Sequence, residues 1–275
     1  MTRTSRLTTA TLYGTVTVIV AALLLPFVWV VFGSFKTQAE FMSDPGAWFP
    51  RSFQLQNFVD LFTKEDFGIY FLNSAVVSGV AVSANVLFSS MAGYALAKLE
   101  FRGKNVIFSL VIFAWIVPYV AVFVPQFLII VQLGLVDSLA GIIAPLVVSP
   151  LSVFIMRQFA HSLPTELLEA ARADGAGEAR LFFAIFLPLS GPAVATIAIL
   201  SFLGSWNSFL WPLIVAQSED TFTLPVALAV ASQESNTTNY GALLAGAVVV
   251  LLPILILFLF LQRYFIQGIA TAGLK

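Results

Sequence analysis

Charged residues are so unevenly spaced along this chain that six long stretches contain none of them. A helix needs about 20 apolar residues to cross the hydrocarbon core of a bilayer, and these stretches reach or approach that length. The pattern predicts a membrane protein with several spanning helices. The stretches lie between Arg6 and Lys36, Asp66 and Lys98, Lys104 and Asp137, Asp137 and Arg157, Arg180 and Glu219, and Glu234 and Arg263.

Composition supports the same class of protein. Only 10% of the residues are charged and 59% are hydrophobic, whereas soluble domains carry about 25% charged residues. We therefore predict an all-α polytopic membrane protein that forms one domain over residues 1–275, with six transmembrane helices. The spans are placed near residues 11–32, 71–97, 106–131, 139–157, 188–214 and 241–262.

The distribution of lysine and arginine predicts the orientation of these spans. Basic residues accumulate on the cytoplasmic side of a membrane protein. If the N-terminus is inside, ten of the 13 Lys and Arg residues fall in inner segments, and only Lys36, Arg51 and Lys64 fall in outer ones. We therefore expect both termini in the cytoplasm. The same topology makes residues of about 158–187, between the fourth and fifth spans, a cytoplasmic loop.

Several kinds of chemistry are excluded by the residues that are missing. The chain has no cysteine and one histidine, His161, so disulfides, thiolate chemistry and histidine-rich metal sites are excluded. No basic block points to nucleic acid. Gly103-Lys104 is followed by Asn105 and lacks the upstream glycine of a phosphate-binding loop. We expect no catalytic residues, no metal ligands and no bound cofactor in this chain.

The predicted spans also lack ionisable residues, which proton-coupled carriers commonly place at membrane depth. Any uphill transport would then draw its energy from another polypeptide. A self-sufficient secondary carrier remains an alternative, because sodium sites can be built from carbonyls and hydroxyls. A membrane-embedded enzyme would show paired aspartates or a histidine–glutamate set at membrane depth, and the predicted spans hold neither.

The cytoplasmic loop contains a charged block, LEAARADGAGEARLFFAIFLPL, that is predicted to form two short helices. Pro164 and Thr165 favour a helix start with a capping hydroxyl. Glu169 and Arg172 are three residues apart and can pair on one face, and Gly175 can take the positive φ that ends a helix. A second helical stretch is predicted near residues 178–187. Such a block is either a docking surface for another protein or an interfacial connector.

The spacing within this block resembles a known signature. It matches the EAA motif of importer permeases of the ATP-binding cassette (ABC) class, in which the loop forms a coupling helix that inserts into a cleft of the ATPase subunit. The resemblance implies ATPase-coupling roles for Glu169, Ala170, Ala171, Asp174 and Gly175. The matching positions are Glu169-Ala170-Ala171, three residues, Gly175, nine residues, Ile185, one residue, and Leu187-Pro188.

Other segments resemble the MalG-type permeases of sugar importers: Phe35-Lys36, Asn73-Ser74, Tyr94-Ala95-Leu96-Ala97, Phe101-Arg102-Gly103, residues 205–213 and the tail 267–273. The resemblance implies a non-catalytic, multi-pass subunit of the bacterial plasma membrane. Its implied partners are a second homologous permease, two ATPases that bind ATP and Mg²⁺, and an extracellular or periplasmic solute-binding protein. The implied substrate is a sugar or oligosaccharide, with a sugar phosphate such as glycerol 3-phosphate as the alternative.

A path for sugars needs hydrogen-bonding groups and aromatic faces. The alternatives are that Trp211 is an interfacial anchor and that the intramembrane amides bond neighbouring helices. The partner permease is the other possible site of substrate binding. The candidates are Trp206, Asn207 and Trp211 in span five, Asn85 in span two, and Tyr119 and Gln126 in span three.

Four prolines, Pro118, Pro125, Pro145 and Pro150, fall in the third and fourth predicted spans. Proline removes a helix hydrogen bond and its ring clashes with the preceding turn, so kinks are expected in both spans.

Overall fold

The computed structural model describes residues 6–64, 66–234 and 239–272, and all regular secondary structure in these ranges is helical. This confirms the all-α prediction. The side chains of the predicted tail motif at 267–273 lie outside the described residues. In chain order the α-helices are α1 (Arg6–Gly33), α2 (Gln38–Ser43), α3 (Gln56–Lys64), α4 (Phe67–Lys98), α5 (Lys104–Ile116), α6 (Tyr119–Gln132), α7 (Leu139–Ile143), α8 (Pro150–Ser162), α9 (Glu166–Ala173), α10 (Glu178–Arg180), α11 (Leu187–Leu189), α12 (Gly191–Trp206), α13 (Leu210–Val215), α14 (Leu224–Glu234) and α15 (Tyr240–Ala272).

Three further helical segments are not α-helical. Ala144–Leu146 and Glu219–Thr221 are 3₁₀ turns, and Leu181–Phe186 is π-helical. The π-helical segment joins α10 to α11, so residues 178–189 are helical throughout. π-Helical turns are rare and strain the regular hydrogen-bond ladder.

Three helices are individually long and apolar enough to cross a membrane: Thr11–Gly33 within α1, the whole of α4, and Tyr240–Phe260 within α15. Three further candidates are bent pairs. α5 and α6 meet at 102°, Leu139–Leu146 meets α8 at 40°, and Glu178–Leu189 meets α12 at 79°. By length and composition, the described residues therefore contain three spans, or up to six if each bent pair is one span.

The bends in the predicted spans at 106–131 and 139–157 agree with the expected proline kinks, whereas the breaks in the predicted span at 188–214 correct that prediction. Proline disfavours helical conformation in the residue before it, and Val117 before Pro118 is accordingly extended, with φ −61° and ψ 123°. Ser149 before Pro150 is extended as well. The kinks expected at Pro118 and Pro150 are confirmed, whereas Pro125 remains inside α6 and Pro145 lies in the 3₁₀ turn Ala144–Leu146. The predicted span at 188–214 is interrupted twice, by the 79° bend before α12 and by residues 207–209, which separate α12 from α13.

The helices group into two compact units, of which the first takes described residues from 1–67 and 228–252. Its connector after α1 is organised by Lys36, whose side chain is buried. The Lys36 ammonium donates to the carbonyl of Ala47 and lies 5.3 Å from the ring centre of Phe41. Asn57 donates to the carbonyls of Ser34 (2.8 Å) and Lys36 (2.9 Å). These bonds fold the α1–α3 connector onto itself.

The second unit takes described residues from 68–227 and 253–272. It contains two apolar clusters, and α4 contributes a residue to each of them. These residues, Tyr94 and Val77, lie about 25 Å apart along the helix axis. The α9 cluster consists of Tyr94, Met156, Ala160, Leu168, Leu181, Phe182, Phe186, Ala193 and Ile197. The α13 cluster consists of Val77, Ile130, Ile142, Trp211, Val215 and Ala216.

α4 and α8 approach each other closely at Gly93. A β-carbon added there would lie 2.7 Å from Cβ of Met156 and 2.8 Å from the backbone nitrogen of Arg157. Small residues permit this close approach of two backbones, which is a common way of packing helices in membranes.

We predict that Gly93→Ala destabilises the protein by about 1–3 kcal/mol, because the added methyl group forces the two backbones apart. Gly79→Ala is the matched control, since it lies on the same helix and a β-carbon there meets nothing within 4 Å. Thermal unfolding of the purified chain in detergent measures the effect. Equal melting temperatures for the two variants would contradict the packing argument.

Candidate coupling surface and substrate cavity

The charged block folds as a short helix, α9, that is closed by a glycine turn. Gly175 has φ +83°, its N–H donates to the carbonyl of Arg172 (2.9 Å), and the N–H of Ala176 donates to that of Ala171 (3.0 Å). This pair of bonds is a Schellman motif, which satisfies carbonyls at the end of a helix. The prediction that Gly175 ends the helix through a positive φ is confirmed.

Two of the predicted side-chain interactions of α9 are wrong, because the side chains bond other partners. Thr165 occupies the N-terminal cap position, but its hydroxyl caps no backbone N–H and accepts a hydrogen bond from Lys98 (3.1 Å). Arg172 pairs with Glu178, at 2.8 Å, instead of Glu169. Lys98 is 67 positions from Thr165, and Glu178 lies six positions beyond Arg172, across the turn at Gly175, so both partners lie outside α9.

The two faces of α9 differ in burial. Leu168 is 4% exposed and packs in the α9 cluster, with Ala171 partly buried against it. The opposite face is exposed and contains Leu167, whose side chain is 50% exposed. The five predicted coupling residues fall on both faces of α9, and Ala171 is the one that faces the core. Glu169, Ala170, Asp174 and Gly175 are exposed.

A partly open cavity of about 410 Å³ lies among the ends of four helical segments in the second unit. It contains three of the six predicted substrate contacts, Tyr119, Gln126 and Trp211. Its chemistry combines three aromatic side chains, an amide, two hydroxyls and backbone. The lining residues are Tyr119, Gln126, Pro145, Leu146, Gly204, Ser208, Phe209, Leu210 and Trp211.

Trp211 is held rigidly on the wall of this cavity. It is 2% exposed, its indole N–H donates to the carbonyl of Gly141 (3.3 Å), and its ring meets Phe123 edge-on at 5.7 Å. A buried tryptophan normally needs such a partner for its N–H. This environment places Trp211 in the packed interior of the second unit, so the interfacial-anchor interpretation is not favoured.

The other three predicted contacts are not among the lining residues. Trp206 is 2% exposed and stacks on Phe202 at 5.3 Å. Asn207 follows the end of α12, is exposed, and donates to the carbonyl of Leu203 (3.0 Å).

Asn85 is buried and makes three hydrogen bonds across helices and along its own. Its amide donates to Ser152 (3.1 Å), and its carbonyl accepts from the Ser149 N–H (3.0 Å) and the Ser89 hydroxyl (2.7 Å). This geometry favours the alternative that the amide of Asn85 bonds neighbouring helices.

Asp137 fixes the loop before α7 to the loop after α13. One of its carboxylate oxygens accepts from the Thr221 hydroxyl (2.6 Å), the Gln217 N–H (2.8 Å) and the N–H and hydroxyl of Ser218 (both 3.0 Å). The backbone N–H of Asp137 donates to Val215 (2.8 Å). The residue is held at φ +55°, which Asp tolerates better than most residues.

These donors, the Thr221 hydroxyl first and then the backbone N–H groups, lower the pKa of Asp137 to about 2. They favour the charged form of the carboxylate.

No group of three or more His, Cys, Asp or Glu side chains that could hold a metal ion occurs in the part of the chain that the structure describes.

Comparison with known proteins identifies the family. Residues 85–271 match the model of the family described as "Binding-protein-dependent transport system inner membrane component". The chain belongs to this family. The match includes α9, the cavity lining and residues 85–98 of α4, so the resemblance inferred from the EAA spacing is confirmed at the level of the family.

This permease is similar to several sugar transport proteins over nearly their whole length. It is 44% identical over 255 residues to the arabinooligosaccharides transport system permease protein AraQ of Halalkalibacterium halodurans, covering 91% of this chain and 90% of that protein. It is 34% identical to the diacetylchitobiose uptake system permease protein NgcG of Streptomyces coelicolor, with 91% and 83% covered. It is 32% identical to the lactose transport system permease protein LacG of Rhizobium radiobacter, with 89% of each covered.

A solved structure has the same fold. It is a chain of a bacterial ABC transporter involved in the import of the acidic polysaccharide alginate, with a TM-score of 0.83, 22% identity, and 96% of this chain and 99% of that chain covered. At this identity the likeness shows the fold alone.

Two residues of this permease have roles that sequence reasoning missed. Leu167 and Leu168 are adjacent and chemically identical in the sequence, and only the structure separates the exposed side chain from the buried one. Asp137 served only as the boundary of a charge-free stretch, and its partners lie about 80 residues away. A charged residue between two predicted spans was the one available signal for it.

We predict that Asp137 contributes stability above about pH 4 and that this contribution is lost as the pH falls towards 2. Its pKa is about 2 in the folded state against an ordinary value of 3.8, so protonation favours the unfolded state over this interval. The difference in melting temperature between wild type and Asp137→Asn in detergent should therefore be constant above about pH 5 and shrink as the pH falls from about 4 to about 2.

Asp220→Asn, which removes a charge from the loop that Asp137 contacts, is the control for that measurement. It should leave the pH profile of the wild type unchanged over the same interval. A gap between wild type and Asp137→Asn that is independent of pH would be inconsistent with a titrating carboxylate.

Proposed function

We propose that the chain is the transmembrane permease subunit of an ATP-driven sugar or oligosaccharide importer in the bacterial plasma membrane. It spans the membrane six times with both termini in the cytoplasm, and it pairs with a second, homologous permease. Two ATPase subunits bind ATP and Mg²⁺, and an extracellular solute-binding protein delivers the substrate. The chain itself catalyses nothing and binds no cofactor.

The observation that carries this proposal is the asymmetric burial of α9. Its inner face is part of an apolar core, whereas its outer face presents Leu167, Glu169, Ala170 and Asp174. An exposed leucine beside an alanine, rimmed by carboxylates, supplies the small apolar centre and polar rim typical of an interface. Docking into an ATPase cleft would bury this exposed face of α9. The interfacial-connector interpretation does not explain why the face has an apolar centre and a polar rim.

The cavity supports a neutral sugar as the substrate. Tyr119 and Phe209, which are 50% and 36% exposed, offer aromatic surface for the apolar faces of a sugar ring, and Gln126 and Ser208 offer hydrogen bonds. None of the nine lining residues is charged, and a phosphate would require a cation. The sugar-phosphate alternative is therefore not favoured. The relatives' names, which mention arabinooligosaccharides, diacetylchitobiose and lactose, point the same way.

The rival of a self-sufficient secondary carrier makes a different prediction. That carrier would take up substrate in proteoliposomes that contain this chain alone and an ion gradient. An importer subunit needs its ATPase and the second permease, so reconstitution without them should give no uptake.

We predict that Glu169→Lys and Gly175→Asp abolish retention of the ATPase and sugar uptake while membrane insertion is preserved. Glu169→Lys reverses a charge on the exposed face. Gly175→Asp adds a charge and places a side chain at φ +83°, which costs about 1–2 kcal/mol in a left-handed conformation. Co-purification of the ATPase subunit and uptake of labelled sugar are the measurements.

Two controls make the same chemical changes elsewhere. Glu100→Lys lies in the loop after α4, where the carboxylate is exposed and paired with Lys104. Gly177→Asp lies at a residue with an ordinary φ of −74° and open space around it. Normal ATPase retention and normal uptake in both test variants would reject a docking role for α9.

We also predict that Gln126→Ala raises the KM for uptake about 3- to 10-fold, because one or two hydrogen bonds to the substrate are lost. Gln132→Ala is the matched control, since it removes the same side chain from an exposed position on the same helix outside the cavity. An unchanged KM in Gln126→Ala would place the substrate elsewhere, in the partner permease.

A further inference from the structure

We propose that α9 is fixed to the last turn of α4 at both of its ends, and that this double clamp makes α9 and α4 move as one body when the ATPases close. The double clamp consists of Tyr94 and Lys98 on α4, Thr165 and Arg172 at the two ends of α9, and Glu178 on α10. The inference rests on the proposed coupling role of α9 and adds the route by which its movement reaches the spans.

The first contact holds the segment that leads into α9. The ammonium of Lys98 donates to the carbonyl of Leu163 (2.7 Å) and to the hydroxyl of Thr165 (3.1 Å). Thr165 is the residue immediately before α9. The ammonium group of Lys98 thus fixes the position at which α9 begins.

The second contact holds the other end of α9. Arg172, in the last turn of the helix, donates from Nε to one carboxylate oxygen of Glu178 (2.8 Å). The hydroxyl of Tyr94 donates to the other oxygen of Glu178 (2.9 Å). Glu178 therefore bridges α9 and α4 with both of its oxygens, in geometry typical of charge-assisted hydrogen bonds.

The contacts at the two ends of α9 together fix its orientation relative to α4. Tyr94 and Lys98 are four residues apart, so they lie on one face of α4, one turn from each other. A single contact would leave α9 free to pivot on α4. Contacts at both ends, with Leu168 buried between them in the α9 cluster, fix the orientation of α9 as well as its position.

The covalent route from α9 to the later spans is less direct. It passes through the turn at Gly175, the π-helical segment 181–186 and a bend of 79° before it reaches α12. α4 has no break over 32 residues and extends from the α9 cluster to the α13 cluster, which contains Trp211 of the cavity. A rigid helix transmits displacement better than a chain of turns, which favours α4 as the route.

The test uses the assembled complex with its ATPases, second permease and binding protein. Tyr94→Phe combined with Lys98→Met removes the α4 half of the double clamp and keeps the apolar bulk of both side chains. We expect the number of sugar molecules imported per ATP hydrolysed to fall about fivefold or more, because the hydrogen bonds from Tyr94 and Lys98 are lost and α9 can move without α4. ATPase retention should stay normal. A merely structural role would lower the amount of complex and leave this ratio unchanged.

Two further variants sharpen the test. Lys104→Met is the matched control, because the Lys104 ammonium bonds Leu99 and Glu100 and no residue of α9. The exchange Arg172→Glu with Glu178→Arg restores opposite charges and keeps a partner for Tyr94. It should recover the import-to-hydrolysis ratio that either single change lowers, and failure to recover would count against the bridge.

Spin labels give a readout that does not depend on the double variant assembling. The chain has no cysteine, so Ala173→Cys on α9 and Met91→Cys on α4 introduce the only two labelling sites in this subunit. We expect one distance between the labels that is the same without nucleotide and with ATP bound. A distance that shifts with nucleotide would overturn the one-body movement.

The outcomes separate this inference from the proposed function. Loss of the proposed function would appear in the wild type, as no ATPase retention or no uptake. If the wild type is coupled and Tyr94→Phe with Lys98→Met is coupled equally well, only the double clamp is refuted.

Discussion

Polar groups that leave water must find partners, and this constraint fixes α4 in the second unit. An amide or ammonium group buried without a hydrogen bond costs several kcal/mol. Asn73, near the start of α4, donates to the carbonyls of Asp220 (2.8 Å) and Phe222 (2.9 Å). Asn85, near the middle, bonds Ser149 and Ser152. Lys98, at the end, holds the segment before α9. Each bond lies at a different height of the helix, so both register and rotation of α4 are set.

This fixed helix lies between the two functional regions. The α9 cluster seats the proposed docking helix, and the α13 cluster seats Trp211 of the cavity, about 25 Å away along α4. Three of the candidate spans bend by 40° to 102°, and bends are where helices change shape most easily. The second unit therefore combines one straight helix with several articulated ones, as expected of a protein whose two ends must communicate.

The sequence predicted those features that depend on local chemistry. Charge-free stretches located the apolar helices, and Gly175 ended α9, because hydropathy and the freedom of glycine at positive φ act within a few residues. Features that depend on partners outside the same helix could not be predicted. Arg172 had Glu169 within reach on its own helix and pairs with Glu178 instead. Among the cavity candidates, Trp206 and Trp211 have the same chemistry, but the break at 207–209 places only Trp211 on the lining.

The energetics of the contacts around α9 indicate what each contributes. The side chains of Arg172 and Glu178 are 34% and 52% exposed, so their ion pair adds at most about 1 kcal/mol to stability. α9 is held against the second unit mainly by apolar packing in the α9 cluster. There the ring centre of Tyr94 lies 4.8 Å from that of Phe186 and 5.6 Å from that of Phe182. Apolar packing is not directional, so it holds α9 in place without fixing its rotation. Hydrogen bonds are directional, and the weak polar contacts therefore determine the angle at which α9 presents Glu169 and Ala170 to a partner.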